Sequence, residues 1–405
     1  MEQQRSRRAL QDAAVLAGVL VALAAVMAFT GMWPTDGNPY PSYRLQAQAW
    51  LNGRLDLGQD YPWLELAIYE GKYFVSFPPF PSFVLLPFLA LSGGDTPDHL
   101  IMLALTVLAV LSALALCRSL REGARDGAFY VLFLFLANGY LFVALCGWVW
   151  FMAQSMCFTL SLMALACARK GHGGAALTCW ACAVGCRPMV AVYLPMLVYF
   201  LWNAQEGENR SLAALARRHV AWLIAPALIA LVYMALNLAR FGNPLEFGHS
   251  YLPEHMRSEA GQFDLSYVAH NIGELFRLPT LDGESGALVF PKFGGVAFWL
   301  VNPIFVTALF AWLYAFCKKR RACRFTLFAL PAMLLAHLFI VLCHSTLGGW
   351  QFGNRYLLDM LPYLFCGLLE WMPEREEFAL ANMPLMLMGF AVNLLGTVAL
   401  HNRWI

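Results

Sequence analysis

The sequence predicts an all-α integral membrane protein with about 11 transmembrane helices and two large outer-face loops that carry interfacial helices. Three observations predict it. Of the 405 residues, 60% are hydrophobic and 13% are charged, where a soluble chain carries roughly 25% charged residues. The apolar residues come in runs of about 20, the length that crosses a bilayer as a helix. Two long segments, 33–97 and 240–292, interrupt these runs and are rich in Tyr, Trp, Phe and Pro, so they read as folded loops rather than disordered ones. The net charge of +2 gives no reason to expect a nucleic-acid partner. The whole chain, 1–405, reads as a single polytopic membrane domain.

The expected spans are 13–32, 98–117, 127–145, 150–168, 174–187, 189–203, 220–239, 293–316, 325–343, 356–372 and 378–398. The first is long for a signal peptide and has no clear small-x-small cleavage site before the loop, so it reads as an anchor. The fifth and sixth are short and meet at Arg187-Pro188, where one kinked span is the alternative. Charge bias arbitrates, because Lys and Arg near span ends favour the cytoplasm. With the N-terminus inside, the cytoplasmic segments hold 17 of the 27 Lys and Arg residues, among them Arg118, Arg121, Arg125, Arg210, Arg217, Arg218 and the cluster Lys318, Lys319, Arg320, Arg321 and Arg324. Merging the two short spans moves that cluster outside, against the bias. The preferred topology has a cytoplasmic N-terminus, an external C-terminus and both large loops on the outer face of the cell membrane.

The first loop has its own grammar. In Ser42 to Asn52, Tyr43, Leu45, Ala49 and Trp50 fall near one side of a helix, and Gly53 stops it. Such a helix lies in the interface with its aromatics at headgroup level. Tyr69-Glu70-Gly71-Lys72-Tyr73 reads as a tight hairpin turn. The stretch from Pro78 to Gly93 is too short to span and reads as a second interfacial or re-entrant helix.

Candidate chemistry gathers near the outer rim. Asp36 follows the first span by a few residues, where a partly desolvated carboxylate has a raised pKa and makes a better base. Glu246, His249, Tyr251, His255 and Arg257 cluster within the second loop. His249 and His255 stand six apart in a Pro-bearing loop without ligand-like spacing, so acceptor recognition is the preferred role there and no metal site is assigned. His344, at the outer end of the ninth span, reads as a spare base or a cap. Cys179, Cys182 and Cys186 share a helix face but read as small apolar filler. Gly348-Gly349-Trp350-Gln351-Phe352-Gly353-Asn354-Arg355-Tyr356 puts glycines, amides and an arginine between two greasy runs, which suits close backbone approach to a ligand.

These stretches resemble the GT-C class of integral-membrane glycosyltransferases, most closely the branch of protein O-mannosyltransferases and lipid A aminoarabinose transferases. Asp36 to Asp60 is similar to that family's first outer loop, with an acidic residue before an amphipathic helix that ends in a G-[RK]-L pattern. Glu70 to Pro79 is similar to its G-x-Y-Y…P-P segment. Arg187-Pro188, Arg240 to Tyr251 and Gly348 to Pro362 match patterns of bacterial members. The likeness covers most of the chain, but each motif is short and degenerate. It departs from the family in lacking a second acid close to Asp36; Asp56 and Asp60 are the next candidates.

The resemblance implies transfer of a sugar from a polyprenyl-phosphate donor to an acceptor hydroxyl on a glycan, lipid or protein. Asp36 is then the general base. Arg355 and Arg187 bind the donor phosphate, since a guanidinium grips phosphate with two donors and stays charged when buried. Trp350, Gln351, Asn354, Tyr356, Asp60, Glu246, His249 and Tyr251 are the candidates for holding sugar or acceptor. No cofactor is certain, and a divalent metal is an option the resemblance leaves open. The competing reading is a polytopic transporter or lipid flippase, against which stand the collection of charges at the outer rim and the absence of a visible internal repeat.

Overall fold

The computed structural model describes residues 2–121, 126–205, 211, 213, 216–217, 219–291, 293–318, 324–349 and 351–405, with side chains from residue 6 onward. Trp350, Arg125, Arg210, Arg218, Lys319, Arg320 and Arg321 lie outside the described residues. All eleven expected segments are helical, but they differ in kind. Six are unbroken helices long and apolar enough to cross a membrane: Ser6–Thr30, Asp98–Leu120, Val149–Arg169, Val220–Phe241, Arg324–Leu342 and Glu376–His401. The apolar helices Gly127–Leu136, Gly173–Val184, Pro188–Asn203 and Ile304–Cys317 are shorter, as is Leu361–Trp371.

The shortening has local causes. The third segment breaks after Leu136 and resumes as Tyr140–Val143. The Asn138 side chain accepts the Tyr140 N–H at 2.8 Å and so diverts the helix ladder. The eighth breaks at Asn302-Pro303, between Phe298–Val301 and Ile304–Cys317. The two breaks are stitched together, because Asn302 Oδ1 accepts the Gly139 N–H at 3.1 Å. The expected fifth and sixth segments are separate helices divided at Gly185-Cys186-Arg187, where Arg187 is extended, with φ −143° and ψ 95°. Cys186 falls beyond the end of Gly173–Val184, so the three cysteines do not share one helix. No disulfide occurs among the described residues.

Burial sorts centre from periphery. In the most apolar stretch of Val149–Arg169, 83% of residues are buried, against 11% in Val220–Phe241. Leu361–Trp371 is buried almost throughout and packs beside Val149–Arg169. The exposed Leu228, Leu231 and Val232 form the kind of apolar face that lipid covers.

The first loop folds much as its sequence suggests. A helix covers Ser42–Leu51, and Gly53 follows at φ +70°. Strands Leu66–Tyr69 and Lys72–Val75 pair antiparallel, with Glu70 at φ +48° and Gly71 at φ +72° in the turn. Two successive positive φ values match the twist of a two-residue hairpin. A helix covers Phe80–Ser92 and ends at Gly93, φ +74°. Of the two aromatics expected at headgroup level, Tyr43 is buried and Trp50 half-buried, because this helix packs on Phe80–Ser92. Ser82 Oγ donates to Tyr43 O at 3.0 Å and to Gln46 Oε1 at 2.8 Å. The hairpin in turn sits on the second loop, where Ala67 and Phe74 bury against Phe241, Tyr69 and Tyr251.

Candidate active site

The glycine-rich stretch before the tenth span forms a cage around Arg355. Gly348 has φ +120° and Gly349 φ +72°, values that favour glycine. A Cβ at Gly348 would stand 3.1 Å from Arg355 Cγ and Nε. That close approach lets Gly348 O accept from Arg355 Nε at 2.8 Å and from Nη2 as well. Gln351 Oε1 accepts the Arg355 N–H at 2.7 Å, and Gln154 Oε1 lies 3.4 Å from Nη1. The guanidinium is thus held in place before any ligand arrives.

Arg187 comes from the break between two short helices and lies on the same wall. Its Nε donates to Asp359 Oδ2 at 2.7 Å, a carboxylate only 1% exposed, while the Arg187 side chain keeps 17% exposure. The Tyr356 ring joins the two cations: the Arg187 guanidinium carbon lies 4.5 Å from its centroid and that of Arg355 5.0 Å. Such contacts stabilise cations that have left bulk water.

Two recesses meet at this wall. One, of about 340 Å³, is lined by Arg187, Arg355, Tyr356, Glu246, His249 and His344, with Phe77, Pro78, Met189, Leu245, Phe263 and Ile340 supplying apolar surface. The other, of about 780 Å³, is lined by the aromatics Tyr40, Phe142, Trp148, Trp150, Phe151 and Phe293, together with Glu65, Gly348, Gly349 and Arg355. Trp150 and Arg355 belong to both. Aromatic walls with few polar groups suit sugar faces and apolar stems. Glu65 accepts the Trp150 Nε1–H at 2.8 Å. The carboxylate is open to the recess, yet the protein around it raises its pKa by desolvation, an effect tempered by the Trp150 hydrogen bond and by Arg355.

The structure distributes the expected site residues unevenly. Arg187, Arg355, Tyr356, Glu246 and His249 come together in the smaller recess. Asp36 does not join them. The partial desolvation expected for it is absent: it is exposed and closes a turn, its Oδ2 accepting the Trp33 N–H at 2.5 Å. The loop that carries it is pinned two residues on, where Asn38 Nδ2 donates to buried Asp98 at 2.6 Å and to Gly147 O at 2.8 Å. Asp60 is exposed and lines neither recess. Gln351 and Asn354 are buried, 0% and 2% exposed. Gln351 Nε2 donates to Leu347 O at 2.9 Å and Asn354 Nδ2 to Gly294 O at 2.5 Å, so both brace the cage instead of facing a sugar. Tyr251 packs against Tyr69 and Phe241, anchoring the second loop to the hairpin.

Sequence reasoning missed Glu65, Trp150, Gln154 and Asp359. Asp359 sits within the Gly348 to Pro362 stretch and the other three in no motif, and only the fold brings them to the arginines. It also missed the proximity of His344 to the second loop. His249, His255 and His344 each offer a ring nitrogen within 4.8 Å of the others. His344 reaches the pair because the second loop folds back on the ninth span, with Asp264 N bonded to Cys343 O at 2.9 Å and Ser345 N to Gln262 O at 2.9 Å. Burial, the neighbouring imidazoles and Arg187 push His249 down to about 3. Burial also lowers His344 to about 4 and shifts His255 downward. These downward shifts favour the neutral imidazole, the form that acts as a ligand.

Neither a protein-family model nor a curated protein sequence matches the chain. Solved structures do. The aminoarabinose transferase ArnT from Cupriavidus metallidurans, crystallised with undecaprenyl phosphate, superposes with a TM-score of 0.52 at 18% identity, over 95% of this chain and 76% of that one. The Archaeoglobus fulgidus oligosaccharyltransferase in its apo form gives 0.51 at 13% identity, over 96% of this chain and 56% of that one. Both are GT-C glycosyltransferases. The chain thus has the mainly helical membrane fold of the GT-C glycosyltransferases.

Proposed function

We propose that the protein transfers a sugar from a polyprenyl-phosphate donor to an acceptor hydroxyl at the outer face of the cell membrane, with its N-terminus in the cytoplasm. The observation that carries this reading is the placing of Arg187 and Arg355 against one Tyr356 ring, on the wall of a recess with much apolar surface. An apolar groove suits a lipid stem. Fixed guanidiniums suit the phosphate to which it is joined. The undecaprenyl phosphate bound by ArnT supports that donor class. The acceptor is a glycan, a lipid or a protein.

In the reaction the acceptor hydroxyl gives its proton to a carboxylate. Its oxygen bonds to the anomeric carbon, and the bond from that carbon to the phosphate oxygen breaks, the electron pair leaving on phosphate. Arg187 and Arg355 stabilise the charge that develops there, donors already aimed where it appears. Glu65 is the carboxylate that geometry favours as the base, because it faces the recess that Arg355 closes and has a raised pKa. Asp36 is the one that the GT-C resemblance favours. Glu246 and His249 line the phosphate recess and serve the sugar or acceptor side. The breaks at 137–139 and 302–303 also suit a transporter or flippase, which uses interrupted helices.

The test is purified protein, in lipid nanodiscs and in sealed vesicles, with a panel of radiolabelled polyprenyl-phosphate sugars and extracted envelope acceptors. Transfer of label with release of polyprenyl phosphate is expected. Label that only crosses a vesicle membrane, attached to its lipid, would move the reading to the flippase. Glu65→Gln and Asp36→Asn are compared in the same assay. Loss of transfer in one alone identifies the base.

A further inference from the structure

We propose that His249, His255 and His344 form a three-imidazole site for a divalent first-row ion, best suited to zinc, which fastens the second outer loop to the end of the ninth span and leaves one coordination position free. Three observations carry it. The ring centroids form a nearly equilateral triangle, with separations of 5.3, 5.8 and 5.6 Å. One nitrogen from each ring lies within 4.8 Å of the others. A tetrahedral zinc with bonds of about 2.1 Å asks for ligand nitrogens roughly 3.4 Å apart, so the rings need close by no more than about 1.4 Å.

The second nitrogens supply the next observation. His344 Nδ1 faces the Thr346 backbone, 2.8 Å from its carbonyl oxygen and 3.1 Å from its amide nitrogen, which leaves Nε2 as the nitrogen that an ion would take. The side-chain neighbour of that Nε2 is the Gln262 amide at 3.3 Å, a long contact that an ion displaces. His255 Nδ1 lies 3.3 Å from Ser345 Oγ, and His249 is bonded to the Ser76 backbone. Each ring is thus oriented by an outer partner, as metal-ligating histidines are.

The third observation is position. His249 and His255 come from the second loop and His344 from beyond Arg324–Leu342, so an ion would add a cross-link between elements already joined by backbone bonds and by Asn271, whose Nδ2 donates to Leu342 O and His344 O. A three-nitrogen set without thiolate or carboxylate fits zinc over calcium or magnesium. With three protein ligands, the fourth position falls to water or to an oxygen from the recess that His249 and His344 line. The site stands independently of the sugar-transfer reading, since it needs only these rings.

The test is metal content, not activity. Full-length protein is stripped with a chelator, loaded with Zn²⁺ or Co²⁺, desalted and analysed by mass spectrometry for metal per chain. About one equivalent is expected, with Co²⁺ giving the visible absorption of a four-coordinate imidazole site. His249→Gln, His255→Gln and His344→Gln should each weaken retention at least tenfold, while His270→Gln, outside the cluster, should not. Chelation should also lower Tm in the wild type but not in the three variants. Less than a tenth of an equivalent retained by the wild type would overturn the proposal. So would equal retention by the triple variant. Monodispersity on size exclusion separates loss of ligand from loss of fold.

Discussion

Gly348→Ala is the most informative single substitution, because it adds one methyl group to the cage of Arg355 and removes nothing. Gly348 sits at φ +120°, and an added Cβ meets Arg355 Cγ and Nε at 3.1 Å and Gln351 Nε2 at 3.2 Å. An alanine at such a φ carries strain of about 1–3 kcal/mol. The contacts fall on the side chains that fix the guanidinium, so relief comes by moving Arg355 off the Gly348 carbonyl. If the strain is relieved only at the expense of phosphate binding, donor affinity drops by about 5- to 150-fold. Gly37→Ala is the control, since a Cβ there meets nothing within 4 Å and no positive φ is involved. The assay is equilibrium binding of undecaprenyl phosphate to protein in nanodiscs, with Tm recorded for both variants. Unchanged affinity in a folded Gly348→Ala protein would refute the idea that this glycine positions Arg355 for phosphate.

Other substitutions test neighbouring parts of the argument. Arg355→Ala should weaken donor binding more than Arg355→Lys, which keeps the charge but cannot reach both Gly348 O and a phosphate; equal losses in the binding assay count against two-pronged contact. Arg187→Leu leaves Asp359 buried without its cation and should destabilise by ~3–5 kcal/mol, whereas Arg187→Leu with Asp359→Leu should recover much of that, read by thermal unfolding in detergent. Transfer should fall on acidification at a pH above that of an ordinary glutamate, because the Glu65 pKa is raised and the base must be ionised. Trp150→Phe deletes a hydrogen bond that lowers the Glu65 pKa, so the acid limb of the pH–rate profile should move further up; a downward move contradicts the assignment.

Much of the fold is legible in the sequence because it rests on local rules. Hydrophobic run length gave each helical segment, the Glu70-Gly71 pair gave the hairpin, and Gly53 and Gly93 gave two helix ends. The breaks were less visible. Asn138 and Asn302 look like stray polar residues in apolar runs, and their meaning depends on a contact 163 positions apart in the chain. The candidate site divides the same way. Arg187, Arg355 and Tyr356 stand out as charge or aromatic beside breaks in apolar helices, and the fold brings them together. Gln351 and Asn354 looked available for a ligand, but the backbone of so tight a loop needs partners of its own. Asp36 looked partly desolvated from its distance along the chain, yet it is exposed in a turn. Glu65 and the meeting of His344 with His249 and His255 could not be read, because nothing in spacing signals a contact made by a loop returning across the molecule.

Arg355 and Trp150 form a partition between two chambers. Whatever fills one chamber presses on, or relaxes, the same two side chains that bound the other. Where one occupant shifts those side chains, the two occupants alter each other's affinity by the same factor, whichever enters first. The order of addition would show itself in initial-rate patterns, with the partition acting as the hinge of the kinetic scheme.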